Sequence, residues 1–102
     1  MANSLPVIVL MRLDQFLRAS RLVLRRKIAQ ELCEMGAVTV NGAVARSARA
    51  VRVGDEIGLR RWDDHLLTVR VTALPAARQT SKQQATTLYE ILSDKNVEGA
   101  GD

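Results

Sequence analysis

The spacing of apolar residues changes once along this chain, and the change comes at Gly36. Before it, Leu13, Phe16 and Leu17, then Ile28, Ala29, Leu32 and Cys33, recur at intervals that place them on one face of an α-helix. After it, Val38 and Val40, then Ile57 and Leu59, then Leu67, Val69 and Val71, follow the alternation of half-buried strands. The two periods put different residues on the buried face, so neither stretch can adopt the other's structure without exposing its core. The order predicts an α+β domain: two short helices packed on a small, mostly antiparallel sheet, with a short C-terminal helix or tail.

Local signals sharpen the boundaries. A first helix is expected from Arg12, with Asp14 in the first turn, where a carboxylate suits the helix dipole. Ser20 either ends this helix or caps the next. A second is expected from about Arg25 to Met35, with Gly36 at C′. Asn41-Gly42 is the dipeptide of a two-residue hairpin turn, whose central positions both need positive φ. Gly54-Asp55 marks a second turn before Ile57. The stretch "WDDH" reads as a polar turn and "LLTVRV" as a strand. "AARQTSKQQA" reads as a polar linker, and "TTLYEIL" as a short helix or an extended stretch. Residues 1–10 are expected to be an N-terminal extension, 11–75 the domain, 76–92 a C-terminal segment and 93–102 a disordered tail. "PVIVL" can alternatively add a short strand, and Met11, where the pattern opens, is a candidate start.

Several classes of function are disfavoured. At 102 residues and 47% hydrophobic the chain can build one modest core, drawn from Leu, Val, Ile and Ala because Phe16, Trp62 and Tyr89 are the only aromatics. Cys33 has no second thiol with which to form a disulfide or a metal site, and reads as a small core residue. His65 lies beside Asp63 and Asp64 in an expected surface turn, with no nucleophile near it in sequence. Neither a Gly-rich phosphate loop nor a zinc-like spacing is present, so no enzyme, cofactor or metal is expected. No apolar run suits a membrane span, and the apolar start lacks the basic region of a signal peptide. A cytoplasmic monomer is expected.

Charge is the informative part. Residues 11–61 hold eleven Arg and Lys against five acids, whereas residues 62–102 are net acidic. Twelve of the fifteen basic residues are arginine, the side chain that meets phosphate with two parallel hydrogen bonds. Four arginines and a lysine fall between Arg18 and Lys27, and no acid intervenes between Asp14 and Glu31. Arg25, Arg26 and Lys27 would occupy the first turn of the second helix, where each cation costs roughly 0.3–1 kcal/mol unless an anion faces it. The free N–H groups of that turn point toward the same anion. Arg12, Arg18 and Arg21 come from the first helix and its connection, and Arg46, Arg49 and Arg52 from an irregular loop able to lie beside it. Together they would form one basic face suited to the backbone and shape of structured RNA. Charges merely splayed into solvent, and a basic module for an acidic protein partner, are the competing readings.

These residues also carry a family pattern. "MRLDQFLRASRLVLRRKIAQELCEMGAVTVNG" resembles the S4 RNA-binding domain, of the αL type, in R-L-D at Arg12 to Asp14, Ser20-Arg21, Arg25-Arg26 and G-x-V-x-V-N-G from Gly36 to Gly42. "VRVGDEI" resembles the domain's V-x-x-G-D-x-I ending. Over its length the chain is similar to the RqcP family of stand-alone bacterial S4 proteins, to which the small heat-shock S4 proteins are related. That resemblance implies a ribosome-associated factor of quality control. Such a factor binds obstructed large subunits carrying peptidyl-tRNA, contacts rRNA and tRNA, and stabilises P-site tRNA while an RqcH-type partner directs alanine tailing. The heat-shock branch, which implies recycling of blocked subunits, carries a longer basic C-terminal extension, whereas the tail here is short and acidic. By the resemblance, Arg12, Asp14 and Arg26 match RNA-contact positions of the family, and Arg21, Arg25 and Lys27 lie in the same motif. Asp14 would orient a neighbouring arginine or accept from a base or ribose, with a helix-capping role as the alternative. Arg18, Arg46 and Arg49 complete the expected set, together with Asn41, a turn residue first.

Overall fold

A computed structural model of the chain describes residues 10–61, 65–75 and 81–96. The expectations for residues 1–9, for most of the "WDDH" turn and for residues 76–80 and 97–102 lie outside the described residues. Arg12 opens α1 (Leu13–Ala19) after a two-residue strand, β1 (Met11–Arg12), and α2 spans Arg26–Glu34. The strands β2 (Val38–Val40), β3 (Ala43–Val44), β4 (Ala50–Val51), β5 (Glu56–Arg60) and β6 (His65–Val71) follow. Then come α3 (Lys82–Thr86) and β7 (Tyr89–Asn96).

The two periods find their partners as expected. Leu13, Phe16 and Leu17 of α1 and Ala29, Leu32 and Cys33 of α2 are buried, with Ile28 half-buried beside them. They meet Val38, Val40, Ile57, Leu59, Leu67, Val69 and Val71 from one face of the sheet. Fully burying each large aliphatic side chain contributes roughly 1.5–3 kcal/mol, so this one layer of contact carries most of the fold. Ser20 is the C-cap of α1 and leaves α2 to begin from Arg25. Gly36 takes a positive φ of 78° directly after the C-cap of α2, Met35, where a side chain would be strained.

The larger sheet has the order β3-β2-β5-β6-β7 and is antiparallel throughout. Asn41 and Gly42, at φ 53° and 89°, make the tight turn between β2 and β3. The register pairs Thr39 with Val44, which places Val44 on the exposed face, while Ala45 next to it is buried. A separate pair, β1 with β4, sets Arg12 opposite Ala50.

The C-terminal segment departs from expectation in part: of the two readings of "TTLYEIL", the extended one is what forms from Tyr89 onward. The end of the expected linker is a helix: Ser81 caps α3 by accepting from the Gln84 backbone at 3.1 Å, and Gln84 returns the bond to the Ser81 N–H at 3.0 Å. Residues 93–96, expected in a disordered tail, form the end of β7, which pairs along β6 from Val71↔Tyr89 to His65↔Asn96. The alternation in β7 is broken because Thr68 pairs with Ser93 and Val69 with Ile91, leaving Leu92 as an extra residue. That bulge hides the strand from a search for period two. His65, expected in a turn, is the first residue of β6, and its Nε2 lies 3.2 Å from Asp94 Oδ1. It is spent within the sheet, as is Arg70, which reaches Glu56 and Glu90 on the flanking strands, each at 3.2 Å.

Candidate nucleic-acid interface

The site is organised by a buried acid. Asp14 sits in the first turn of α1 with none of its surface exposed. Arg12 donates to both of its oxygens, Nε to Oδ1 at 3.1 Å and a terminal nitrogen to Oδ2 at 3.2 Å. From α2, Arg26 Nε and Gln30 Nε2 both reach Oδ2, at 3.2 and 3.0 Å. The Gln15 N–H completes the set on Oδ1 at 2.8 Å. Burial alone would raise the Asp14 pKa, but hydrogen bonds from Arg12, Gln30 and Arg26, with the charge of Arg12, outweigh it and hold the carboxyl below its usual value. Arg12 is held more firmly protonated in return. With both oxygens engaged and no exposed surface, Asp14 orients two arginines, and by accepting from the Gln15 N–H it also satisfies a donor in the first turn of α1.

Arg12 and Arg26 remain about half exposed, at 43% and 45%. Only Nε of Arg26 is used by Asp14, so both terminal nitrogens keep their N–H groups for an outside acceptor. Beside Arg26 lies a cleft of about 400 Å³ lined by Met11, Gln15, Arg18 and Arg26.

The two helix starts are treated oppositely. At α1 the Leu13 N–H donates to the Arg49 carbonyl at 2.8 Å, and the Asp14 N–H to that of Ser47 at 3.1 Å. The arginine-bearing loop therefore packs onto the start of α1 and satisfies it, setting Arg46 and Arg49 on its exposed side. At α2 the N-cap is Arg25, which offers no side-chain hydrogen bond, and no acid lies in the first turn. Arg25, Arg26 and Lys27 are all exposed there, as the composition of the motif leads one to expect. Among the described residues, no ion pair neutralises Arg18, Arg25, Lys27, Arg46 or Arg49.

Other candidates take more particular places. Arg21 holds a φ of 61°, in the left-handed region that favours glycine, and its N–H closes the end of α1 onto the Arg18 carbonyl at 3.0 Å. An arginine there costs roughly 1–2 kcal/mol of backbone strain that glycine would avoid. Asn41 spends its amide on the fold: Oδ1 accepts from the Glu56 N–H at 2.9 Å and Nδ2 donates to Asp55 at 3.1 Å. Arg49 and Arg52 flank a further cleft with Asp55. Cys33 is buried, and loss of hydration pushes its thiol up to about 11, which suits a core residue.

Two residues escaped the sequence reading. Gln30 has a signal in hindsight, since it lies four residues after Arg26 on the same helical face and meets the same acceptor. Arg61 has none. It follows β5, yet it lines a groove with Arg21 and Arg25 from the connection between the helices.

Comparison with known proteins agrees with this arrangement. Residues 11–57 match the S4 domain family. The chain is 42% identical over 87 residues to the RQC P-site tRNA stabilizing factor of Halalkalibacterium halodurans, covering 85% of this chain and 96% of that protein. It is 38% identical over 87 residues to the protein of the same name from Bacillus subtilis, covering 85% and 98%. Among solved structures, trimeric Heat Shock Protein 15 of Vibrio cholerae superposes with a TM-score of 0.75 at 29% identity, covering 83% of this chain and 84% of that one. With the helices, turns and arginines in place and relatives matched over nearly their whole length, the chain belongs to the S4-domain family of RQC P-site tRNA stabilizing factors.

Proposed function

We propose that this protein is a non-enzymatic RNA-binding factor of ribosome-associated quality control. In this reading it docks on obstructed large ribosomal subunits, contacts rRNA and peptidyl-tRNA, and holds the tRNA in the P site while an RqcH-type partner directs alanine tailing. The observation that carries it is the Asp14-anchored pair of arginines beside the uncapped, acid-free start of α2. Fixing Arg12 and Arg26 in advance lowers the entropy lost when they meet phosphate, and the unspent N–H groups of Arg26 suit two-point contact. Arg25 and Lys27 add charge at the helix start, where the dipole itself attracts an anion. The mechanism is stabilisation of one tRNA position by electrostatic docking and shape, so binding weakens steeply as salt rises. The name carried by the relatives supports this reading.

Crosslinking the tagged protein in cells and sequencing the recovered RNA tests it. Large-subunit rRNA recovered together with tRNA is the expected result. Recovery of little RNA, or of small-subunit or messenger RNA alone, overturns the assignment.

A further inference from the structure

The groove lined by Arg21, Arg25 and Arg61 differs in kind from the cleft beside Arg26. Its volume is about 530 Å³, and its floor is aliphatic, with Ile28 and Leu32 from α2 and Leu59 from β5. Leu24 stands at its edge with 77% of its surface exposed, the largest share for any bulky apolar side chain among the described residues. It is directly followed by Arg25, and among the described residues Arg21, Arg25 and Arg61 line the same groove. An apolar floor flanked by Arg25 and Arg61 suits a ligand that is uncharged and hydrophobic at one point and anionic on either side of it.

We infer that this groove receives a single unstacked nucleobase of the bound RNA, with Leu24 packing against its face and Arg25 and Arg61 meeting the flanking phosphates. The inference rests on the RNA reading above and deepens it: the protein recognises an unpaired nucleotide in addition to a charged backbone. Two observations favour RNA over an acidic peptide. The groove is continuous with the motif that carries Arg26 and Lys27, since Arg25 belongs to both. The one strand in its wall, β5, is paired on both edges, with β2 and β6, and offers no edge to an extended peptide. A flat base needs no such edge; it needs an apolar surface and nearby cations, as in single-stranded RNA sites. Its chemistry explains why an exposed leucine persists among arginines.

The test compares two RNA hairpins with equal numbers of phosphates, one fully paired and one carrying a single bulged adenosine, titrated at one fixed salt concentration. The wild-type protein is expected to bind the bulged hairpin roughly tenfold more tightly. Leu24→Ser, which changes an exposed side chain and spares the core, is expected to reduce that preference to within about twofold while leaving affinity for the paired hairpin unchanged. Arg26→Ala is expected to weaken binding to both hairpins alike. Equal binding of the two hairpins by the wild type overturns the inference and leaves the RNA reading standing, as does a preference that survives Leu24→Ser. Competition at the groove by an acidic leucine-containing peptide, with no preference for the bulge, also overturns it and assigns the groove to a protein. Binding to neither hairpin overturns the RNA reading and the inference together.

Discussion

The helical half of the molecule and the β6–β7 half both carry arginines, and they use them in opposite ways. Arg70, at the centre of the β5–β6–β7 surface, lies between Glu56 and Glu90, and its charge is answered within the sheet. Arg12 and Arg26 share one carboxylate between them, so the cluster keeps a positive surplus, and Arg18, Arg25 and Lys27 add to it with no ion pair among the described residues. What distinguishes the proposed binding face is thus the ratio of cations to the acids that reach them, and not the density of arginine alone. The buried Asp14 makes the difference sharper: it orients the cations while neutralising only part of their charge.

Removing Asp14 has the largest expected effect. Asp14→Ala deletes the acceptor of five hydrogen bonds and leaves two half-exposed arginines without their anchor. Because those arginines can turn toward water, the loss is below that of a fully buried pair, about 2 kcal/mol, or roughly 10 °C in a thermal melt. RNA affinity should fall with it, since the guanidinium groups are no longer fixed. The pH dependence follows from the depressed carboxyl. Its stabilisation is fully present above the unfolded value, near the reference of 3.8, and is lost as pH falls through the lower folded value. Melts of the wild type and Asp14→Asn should therefore differ by a constant gap above about pH 4 that closes below it.

Arg26→Ala comes next and separates contact from scaffold. The pair it breaks is half exposed and is worth at most about 1 kcal/mol, so the melting temperature should change little while RNA affinity falls roughly tenfold. A collapse of the fold would instead make Arg26 a structural residue. The smallest effect belongs to Arg70→Ala. Its two exposed pairs predict a loss of about 0.5–1 kcal/mol in denaturant unfolding and no change in RNA affinity. A drop in affinity there would erase the contrast between the two halves.

Legibility in the sequence followed the range of the interaction involved. Leu13, Phe16 and Leu17 declared α1 because an amphipathic period is written within a few residues. Asn41-Gly42 declared its turn because both positions must take positive φ. The uncapped start of α2 was equally visible, since Arg25, Arg26 and Lys27 replace the residues that would cap it. By contrast, β7 was obscured by the extra Leu92, and the role of its neighbours in the sheet depended on a partner strand.

What the amino-acid sequence determined by itself was the order of the two N-terminal helices and the main strands through β6, the apolar face of each and the concentration of arginine between Arg12 and Arg52. These depend on covalent spacing and on dihedral preferences that act over one turn. Only the tertiary structure decided that Asp14 meets Arg26 and Gln30, that the carbonyls of Ser47 and Arg49 occupy the start of α1 and leave that of α2 open, and that Arg61 joins Arg21 and Arg25 around one groove. Each of these depends on a hydrogen bond or a cavity between segments distant in the chain. Such contacts form only when burial of the common core has brought the two surfaces together, so no local pattern can encode them alone.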